Sequence, residues 1–270
     1  MRRPPPPGAA PGPGTRRTRA RTPGIGADRT TGAAVSSPND QRTLSSHRRV
    51  RINSPTMTYE IPPEAERLHA EGRAAGARGD YEHALALLAQ AADLAPDWPY
   101  PPYDAAFTLL LAGDTRGAQA MYERVEALSP RGFFTCRTTL DMLRREHAGW
   151  LSPGFSRAFM SLEWMADPAE KKRILVGITR QFPDFPPAWM ELANLAASPD
   201  ERMHALDRGL EGGPDPDTKT TLLLNKAGLH AANGDLASAT RVYRMLIDDP
   251  EVTPTGEAFA RAFLQNQRRG

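Results

Sequence analysis

The chain repeats one pattern of residue types at a fixed interval of 34 residues. Gly79-Asp80 begins one copy of the pattern and Gly113-Asp114 begins the next. Small residues, a large residue and a proline then recur at matching offsets, as the pairs Ala84 and Ala118, Leu88 and Tyr122, and Pro96 and Pro130. A period of this length is typical of stacked helix–turn–helix units, each of which buries its apolar face against a neighbour. The repeat therefore predicts an all-α fold, an α-solenoid of helix pairs.

Two consecutive segments resemble units of the tetratricopeptide repeat (TPR) family, residues 65–98 and 99–132. In that family, small residues at facing positions let the two helices of a unit approach closely. The resemblance therefore places Gly72 opposite Ala84, and Ala106 opposite Ala118. It implies about five helix pairs within residues 61–251, and the later, more divergent units are residues 152–185, 186–216 and 220–250.

Helix start signals and runs of apolar residues predict where the remaining helices lie. Asp167 before Pro168 and Ser198 before Pro199 each combine a capping side chain with a proline at the first helical position. Residues 131–151 predict an inserted helix between the second and third units. Residues 252–270 predict a C-terminal helix that covers the apolar edge of the last unit, as an open array requires.

Residues 1–60 differ from the rest of the chain in composition. The first 56 residues contain eleven Arg and two Asp, a net charge of +9, so the remainder carries −7 of the whole chain's +2. Their many Pro, Gly and Ser residues, with little apolar periodicity, predict a disordered tail. Three interpretations stay open: a basic arm that contacts nucleic acid or an acidic surface, a targeting peptide, or a segment that is not translated because Met57 is the true start.

The sequence offers little that predicts chemistry. Cys136 is the single cysteine, so no internal disulfide forms, and we expect it to be a small buried residue. The six histidines form no pairs at helical metal-ligand spacing, and no phosphate-binding loop is present. No apolar run has the length of a membrane span. We therefore predict a cytoplasmic, non-enzymatic protein with no catalytic residues, no cofactor, no metal and no membrane contact.

The TPR resemblance also implies where a partner would bind, because the first helices of such units line the concave face. The predicted partner-binding groove consists of Arg73, Tyr100, Tyr103, Phe107, Met160, Met190 and Asn194. Aromatic and methionine side chains offer large, adaptable contact areas. The sequence thus predicts a scaffold or adaptor for a protein or peptide partner, and the alternative is a nucleic-acid-associated protein acting through its Arg-rich tail. Residues 131–151 or the C-terminal helix could instead fill the groove and make these residues ordinary core.

Overall fold

A computed structural model describes residues 61–267, which form twelve α-helices and one short 3₁₀-helix, with no strand among them. The α-helices are α1 (Pro63–Ala77), α2 (Tyr81–Leu94), α3 (Tyr100–Ala112), α4 (Thr115–Leu128), α5 (Cys136–His147), α6 (Phe155–Ser161), α7 (Pro168–Gln181), α8 (Pro186–Asn194), α9 (Pro199–Glu211), α10 (Pro216–Ala232), α11 (Leu236–Asp248) and α12 (Pro254–Gln267). The 3₁₀-helix is Leu162–Trp164 and follows α6 directly. The predictions for residues 1–60, including the disordered tail and the start at Met57, lie outside the described residues.

The predicted all-α solenoid of TPR-like helix pairs is confirmed. The most extensive contacts join helices that are consecutive in the chain: α1 with α2, α3 with α4, α8 with α9, and α10 with α11. Three of these pairs turn on a glycine with positive φ, namely Gly79 at 81°, Gly113 at 91° and Gly234 at 79°. Glycine adopts this conformation without the steric penalty of a Cβ atom, so it ends the first helix sharply.

The predicted close approach within the first two units is also present. A Cβ atom added at Gly72 would lie 3.2 Å from the carbonyl oxygen of Ala84, its predicted neighbour, and 2.9 Å from Leu88 Cγ. In the second unit, Ala106 and Ala118 have no exposed surface and belong to one core cluster. Small side chains at these positions therefore set how near the paired helices can pack.

The third unit departs from the predicted helix pair over residues 152–185. α6 has only seven residues and packs on α5, whereas α7 packs mainly on α8. Pro168 disfavours α geometry at Asp167, which has ψ 108°, so the chain leaves the helical path before α7 begins. Lys171 stands where the pattern requires a small residue, and it forms a 2.6 Å ion pair with Glu191 of α8.

The predicted inserted helix is present as α5, which packs on α4 and also contacts α10. Arg137 forms a buried ion pair with Asp217 at 2.6 Å, and its backbone N–H donates to the same carboxylate at 3.0 Å. Beside it, Thr138 Oγ1 donates to Asp215 at 3.2 Å and lies 2.9 Å from Thr218 Oγ1. These five residues are called the α5–α10 clasp below. It joins the inserted helix α5 directly to α10, the first helix of the last unit, whereas an open array joins only neighbouring units.

The C-terminal helix α12 covers the last unit, as predicted. It packs on α10 and α11, and Ala260 on its inner face has no exposed surface. The rings of Tyr243 and Phe263 lie 4.3 Å apart across the α11–α12 contact. Near the clasp, Arg131 donates to the Val252 carbonyl at 3.1 Å and pairs with Glu257.

Candidate functional site

The first helices of units one and two are joined by a polar contact. His69 Nε2 on α1 lies 2.6 Å from Asp104 Oδ2 on α3. Arg73 Nε, one helical turn after His69, lies 3.7 Å from the same oxygen. His69 itself is buried, with 8 % of its surface exposed. The carboxylate of Asp104 therefore holds one face of α1 against α3 and orients the side chain of Arg73.

Five aromatic rings continue from this contact, and together they are called the aromatic surface below: His69, Trp98, Tyr100, Phe133 and Phe134. The Trp98 ring lies 4.8 Å from His69 and 5.8 Å from Tyr100. Tyr100 in turn contacts Phe133 at 4.8 Å and Phe134 at 5.7 Å, both edge to face. Tyr100 is 40 % exposed and Phe134 is 53 % exposed, so the surface faces solvent over part of its area.

Phe134 is the one non-glycine residue with positive φ that the described residues show, at 49°. This region of backbone space is unfavourable for a bulky side chain and costs about 1–2 kcal/mol. The Phe134 ring packs on Tyr103 and Phe133, yet 53 % of the residue stays exposed to solvent. Such strain is concentrated at functional sites, and it singles out Phe134.

Tyr103 lies beneath the aromatic surface and is partly buried. Its hydroxyl is 3.2 Å from Thr135 Oγ1, and its ring contacts Phe133 at 5.4 Å and Tyr122 at 5.8 Å. Burial raises the pKa of Tyr103 to about 12. The segment that leads into α5 therefore covers this part of the predicted groove. At Tyr103, this arrangement corresponds to the alternative in which residues 131–151 fill the groove.

The other predicted groove residues are distributed over separate contacts. Phe107 packs on Trp164 of the 3₁₀-helix at 5.9 Å. Met160 lies against the core clusters of both the second and the later units, and Met190 packs on the later one. Asn194 is exposed at the end of α8. The structure thus brings Arg73, Tyr100 and Tyr103 together, and the described contacts do not join Met190 or Asn194 to them.

Sequence reasoning did not place Trp98, Asp104, Phe133 or Phe134 in the predicted groove. A signal for the aromatic residues was present, because Trp98 follows Pro96 by two residues and Phe133 follows Pro130 by three. Aromatic residues therefore recur at almost the same distance after the proline near the end of each of the first two units. Asp104 carried no such signal, since its role depends on His69 in the preceding unit.

The described residues show no arrangement typical of catalysis. No group of three or more potential metal ligands is found among residues 61–267. Cys136 is buried and its Sγ donates to the Tyr122 carbonyl at 3.3 Å. Burial, with the charge of Asp217 as a second cause, raises the pKa of this thiol to about 12. A thiol held in its neutral form is a poor nucleophile, so Cys136 serves packing.

A shallow recess of about 680 Å³ lies away from the aromatic surface, at the C-terminal end of α5. It is lined by Arg144, Arg145, Ala148, Trp150, Asp184, Glu211, Gly212 and Gly213. Trp150 is 74 % exposed at its rim. The recess is lined by two basic and two acidic side chains. Trp150 is not part of the aromatic surface that contains Trp98.

No protein-family model matches the chain, and no curated protein matches it. A search of solved structures does find similar chains. A thermophilic TPR protein of Thermus thermophilus, TTC0263, is 19 % identical over 74 % of this chain and 99 % of its own, with a TM-score of 0.33. MamA of Desulfovibrio magneticus RS-1 is 14 % identical over 70 % of this chain and 96 % of its own, with a TM-score of 0.34.

A further resemblance is to a structure of Naa15/Naa10 bound to HypK-THB, with 13 % identity, a TM-score of 0.30, and coverage of 74 % of this chain and 34 % of the matched chain. Within residues 61–267, no helix is both long and apolar enough to cross a membrane.

Proposed function

We propose that this chain is a non-catalytic scaffold or adaptor that binds a protein or peptide partner through the face formed by its first helices. The observation that supports this most directly is the aromatic surface, where Tyr100 and Phe134 are exposed within one connected cluster of rings. Large aromatic side chains are enriched at protein interfaces because they contribute much contact area with few rotatable bonds.

The predicted groove residues take different parts in this proposal. Tyr100 contacts the partner directly, together with Phe134, and Arg73 adds a charged edge. Tyr103 supports the surface from beneath, because its ring packs between Tyr122 and Phe133. Phe107, Met160, Met190 and Asn194 extend the proposed contact toward the later units.

The test compares the full chain with a variant that carries Tyr100→Ala and Phe134→Ala. Proteins captured by the immobilised full chain are identified, and the dissociation constant of each purified candidate is then measured for both forms. Removing two interface aromatics is expected to weaken binding at least tenfold, since buried aromatic anchors contribute most of an interface's affinity.

The matched control is Trp150→Ala, which removes an exposed aromatic residue outside the aromatic surface. Its affinity should equal that of the unmodified chain. Equal binding by the Tyr100/Phe134 variant and the unmodified chain, with helical content unchanged in both, would contradict the proposal.

The Arg-rich composition of residues 1–56 supports a second candidate function, association with nucleic acid. Contacts between Arg and phosphate release counterions, so the affinity would fall steeply as salt concentration rises. Binding of a duplex DNA or RNA probe should then disappear when residues 1–56 are removed. Salt-independent binding, or binding retained by residues 57–270, would contradict this candidate.

A further inference from the structure

We infer that the partner of this chain presents a basic peptide segment, and that one of its arginine or lysine side chains binds where the rings of Phe107 and Trp164 meet next to Glu163. The inference rests on the proposed function, since it requires the face formed by the first helices to bind a peptide. It adds the charge of that peptide and a specific position for one of its side chains.

An apolar face lies between α3 and the 3₁₀-helix, and it is called the central face below: Phe107, Met160 and Trp164. The ring of Phe107 on α3 contacts the ring of Trp164 with their centroids 5.9 Å apart. Trp164 is 37 % exposed, and Phe107 is half-buried. Met160 packs against the core clusters of both the second and the later units. The central face is therefore held on both sides, and it leaves part of the larger ring accessible to a ligand.

Three charged side chains from three helices lie close together beside the central face. Lys171 Nζ on α7 lies 2.6 Å from Glu191 Oε2 on α8. Glu163, the residue before Trp164, is near enough for the charges of both to act on it. Within residues 61–267, no ion pair involves Glu163. Two carboxylates thus share one ammonium group, and one negative charge stays uncompensated.

The surroundings of Glu163 favour a bound cation. Burial raises the pKa of this carboxyl, the charge of Glu191 raises it further, and Lys171 acts in the opposite direction. The charged form of Glu163 is therefore short of solvation and is repelled by a second carboxylate. A guanidinium or ammonium group from a partner relieves both effects, because charge-assisted hydrogen bonds replace the lost water. The accessible part of the Trp164 ring attracts the same cation through its π electrons.

The neighbouring basic side chains of α6 and α7 are engaged elsewhere. Lys172 pairs with a glutamate of α9 at 2.5 Å, and Arg173 pairs with a glutamate of its own helix at 2.6 Å. Arg157 extends toward the C-terminal end of α3. Residues 57–270 carry a net charge of −7, which favours the approach of a positively charged peptide. The local and the overall charge thus indicate the same class of partner.

The experiment selects peptides from a displayed library of random sequences on the immobilised full chain. The same selection is carried out on Glu163→Gln, which keeps the size of the side chain and removes its charge. The matched control is Glu82→Gln, which changes an exposed glutamate on α2, the second helix of the first unit. Circular dichroism checks that each variant keeps its helical content.

Peptides enriched on the unmodified chain should contain arginine and lysine at about twice their frequency in the library or more. For the tightest peptide, Glu163→Gln should raise Kd about fivefold or more, and so should replacing the peptide's basic residue with an uncharged one of similar size. Trp164→Leu keeps an apolar side chain but loses the cation–π attraction, so it should raise Kd about threefold. Glu82→Gln should leave Kd unchanged.

Enriched peptides without an excess of basic residues would overturn the inference, and so would equal weakening by Glu163→Gln and Glu82→Gln. The variant with Tyr100→Ala and Phe134→Ala separates this failure from failure of the proposed function. Peptides that lack basic residues but lose affinity for that variant reject the basic partner and leave partner binding intact. If no peptide binds the unmodified chain better than that variant, both the inference and peptide binding by the aromatic surface are rejected.

Discussion

At the residue scale, the repeat depends on a few positions where only small side chains fit. Ala118 has no exposed surface and shares a core cluster with Ala106 on the facing helix. Ala118→Leu is expected to lower the free energy of unfolding by about 1–3 kcal/mol, because added methylene groups force the core apart. Urea denaturation followed by circular dichroism measures this change.

The matched control for that prediction is Ala120→Leu, an exposed position on the same helix. Both residues favour helices and solvent accommodates the larger side chain, so the change should stay within about 0.5 kcal/mol. An Ala118→Leu protein as stable as the control would show that the helices are not held at close contact there.

The raised pKa of Tyr103 predicts that the folded chain loses stability at alkaline pH. Burial raises its pKa to about 12 in the folded chain, whereas an unfolded tyrosine titrates near 10. The neutral phenol's contribution is therefore complete below pH of about 10 and declines as the pH rises toward about 12. Urea midpoints at pH 9 and pH 11 should differ less in Tyr103→Phe than in the unmodified chain. Equal losses in both proteins would contradict the assignment.

At the scale of the helical element, the recurrent Gly-Asp pair ends one helix and starts the next. After each of Gly79, Gly113 and Gly234, the aspartate accepts a hydrogen bond from the backbone N–H three residues on. The glycine permits positive φ and the carboxylate satisfies an unpaired donor of the new helix. Two adjacent residues thus define each of these turns.

Asp114 provides the test, since its Oδ1 accepts from Gly117 N at 2.8 Å. Asp114→Ala is expected to cost about 1 kcal/mol, whereas Asp114→Asn, which can still accept this bond, should stay near the unmodified stability. Thermal unfolding of the two variants measures the difference. If Asn and Ala were equally destabilising, the aspartate's charge, rather than its cap, would carry the effect.

At the scale of the whole described fold, the α5–α10 clasp connects parts of the chain that the repeat pattern keeps apart. Arg137 and Asp217 are separated by 80 residues and are 6 % and 5 % exposed. Burial raises the pKa of Asp217 although Arg137 acts in the opposite direction. Desolvation therefore opposes the attraction, and we expect the pair to specify which helices meet more than it adds net stability.

Removing one partner of this pair should nevertheless be costly. Arg137→Ala is expected to lower the free energy of unfolding by about 3–5 kcal/mol, because it leaves a buried carboxylate without its cation. Arg144→Ala is the control on the same helix, where a half-exposed ion pair contributes at most about 1 kcal/mol. Hydrogen exchange should show faster opening of both α5 and α10 in Arg137→Ala. Loss confined to α5 would show that the clasp does not couple the two helices.

Much of the fold was predictable from local signals. The glycine turns, the caps at Asp167 and Ser198, the close contact at Gly72 and the helices α5 and α12 all depend on residues near each other in the chain. The choice of Tyr100 as a surface aromatic followed from the repeat register, and the structure leaves it partly exposed. Its role in partner binding stays a prediction.

The sequence alone determined the helical repeat, because the turn glycines and capping residues act over short distances and their period is visible in two consecutive units. Only the tertiary structure decided that Phe133 and Thr135 cover Tyr103, that α6 and α7 separate, and that Arg137 meets Asp217. These contacts join side chains up to 80 residues apart, and their geometry depends on how every intervening helix packs. In the sequence, Arg137 and Asp217 look like two ordinary surface charges, since burial is a property of the folded molecule.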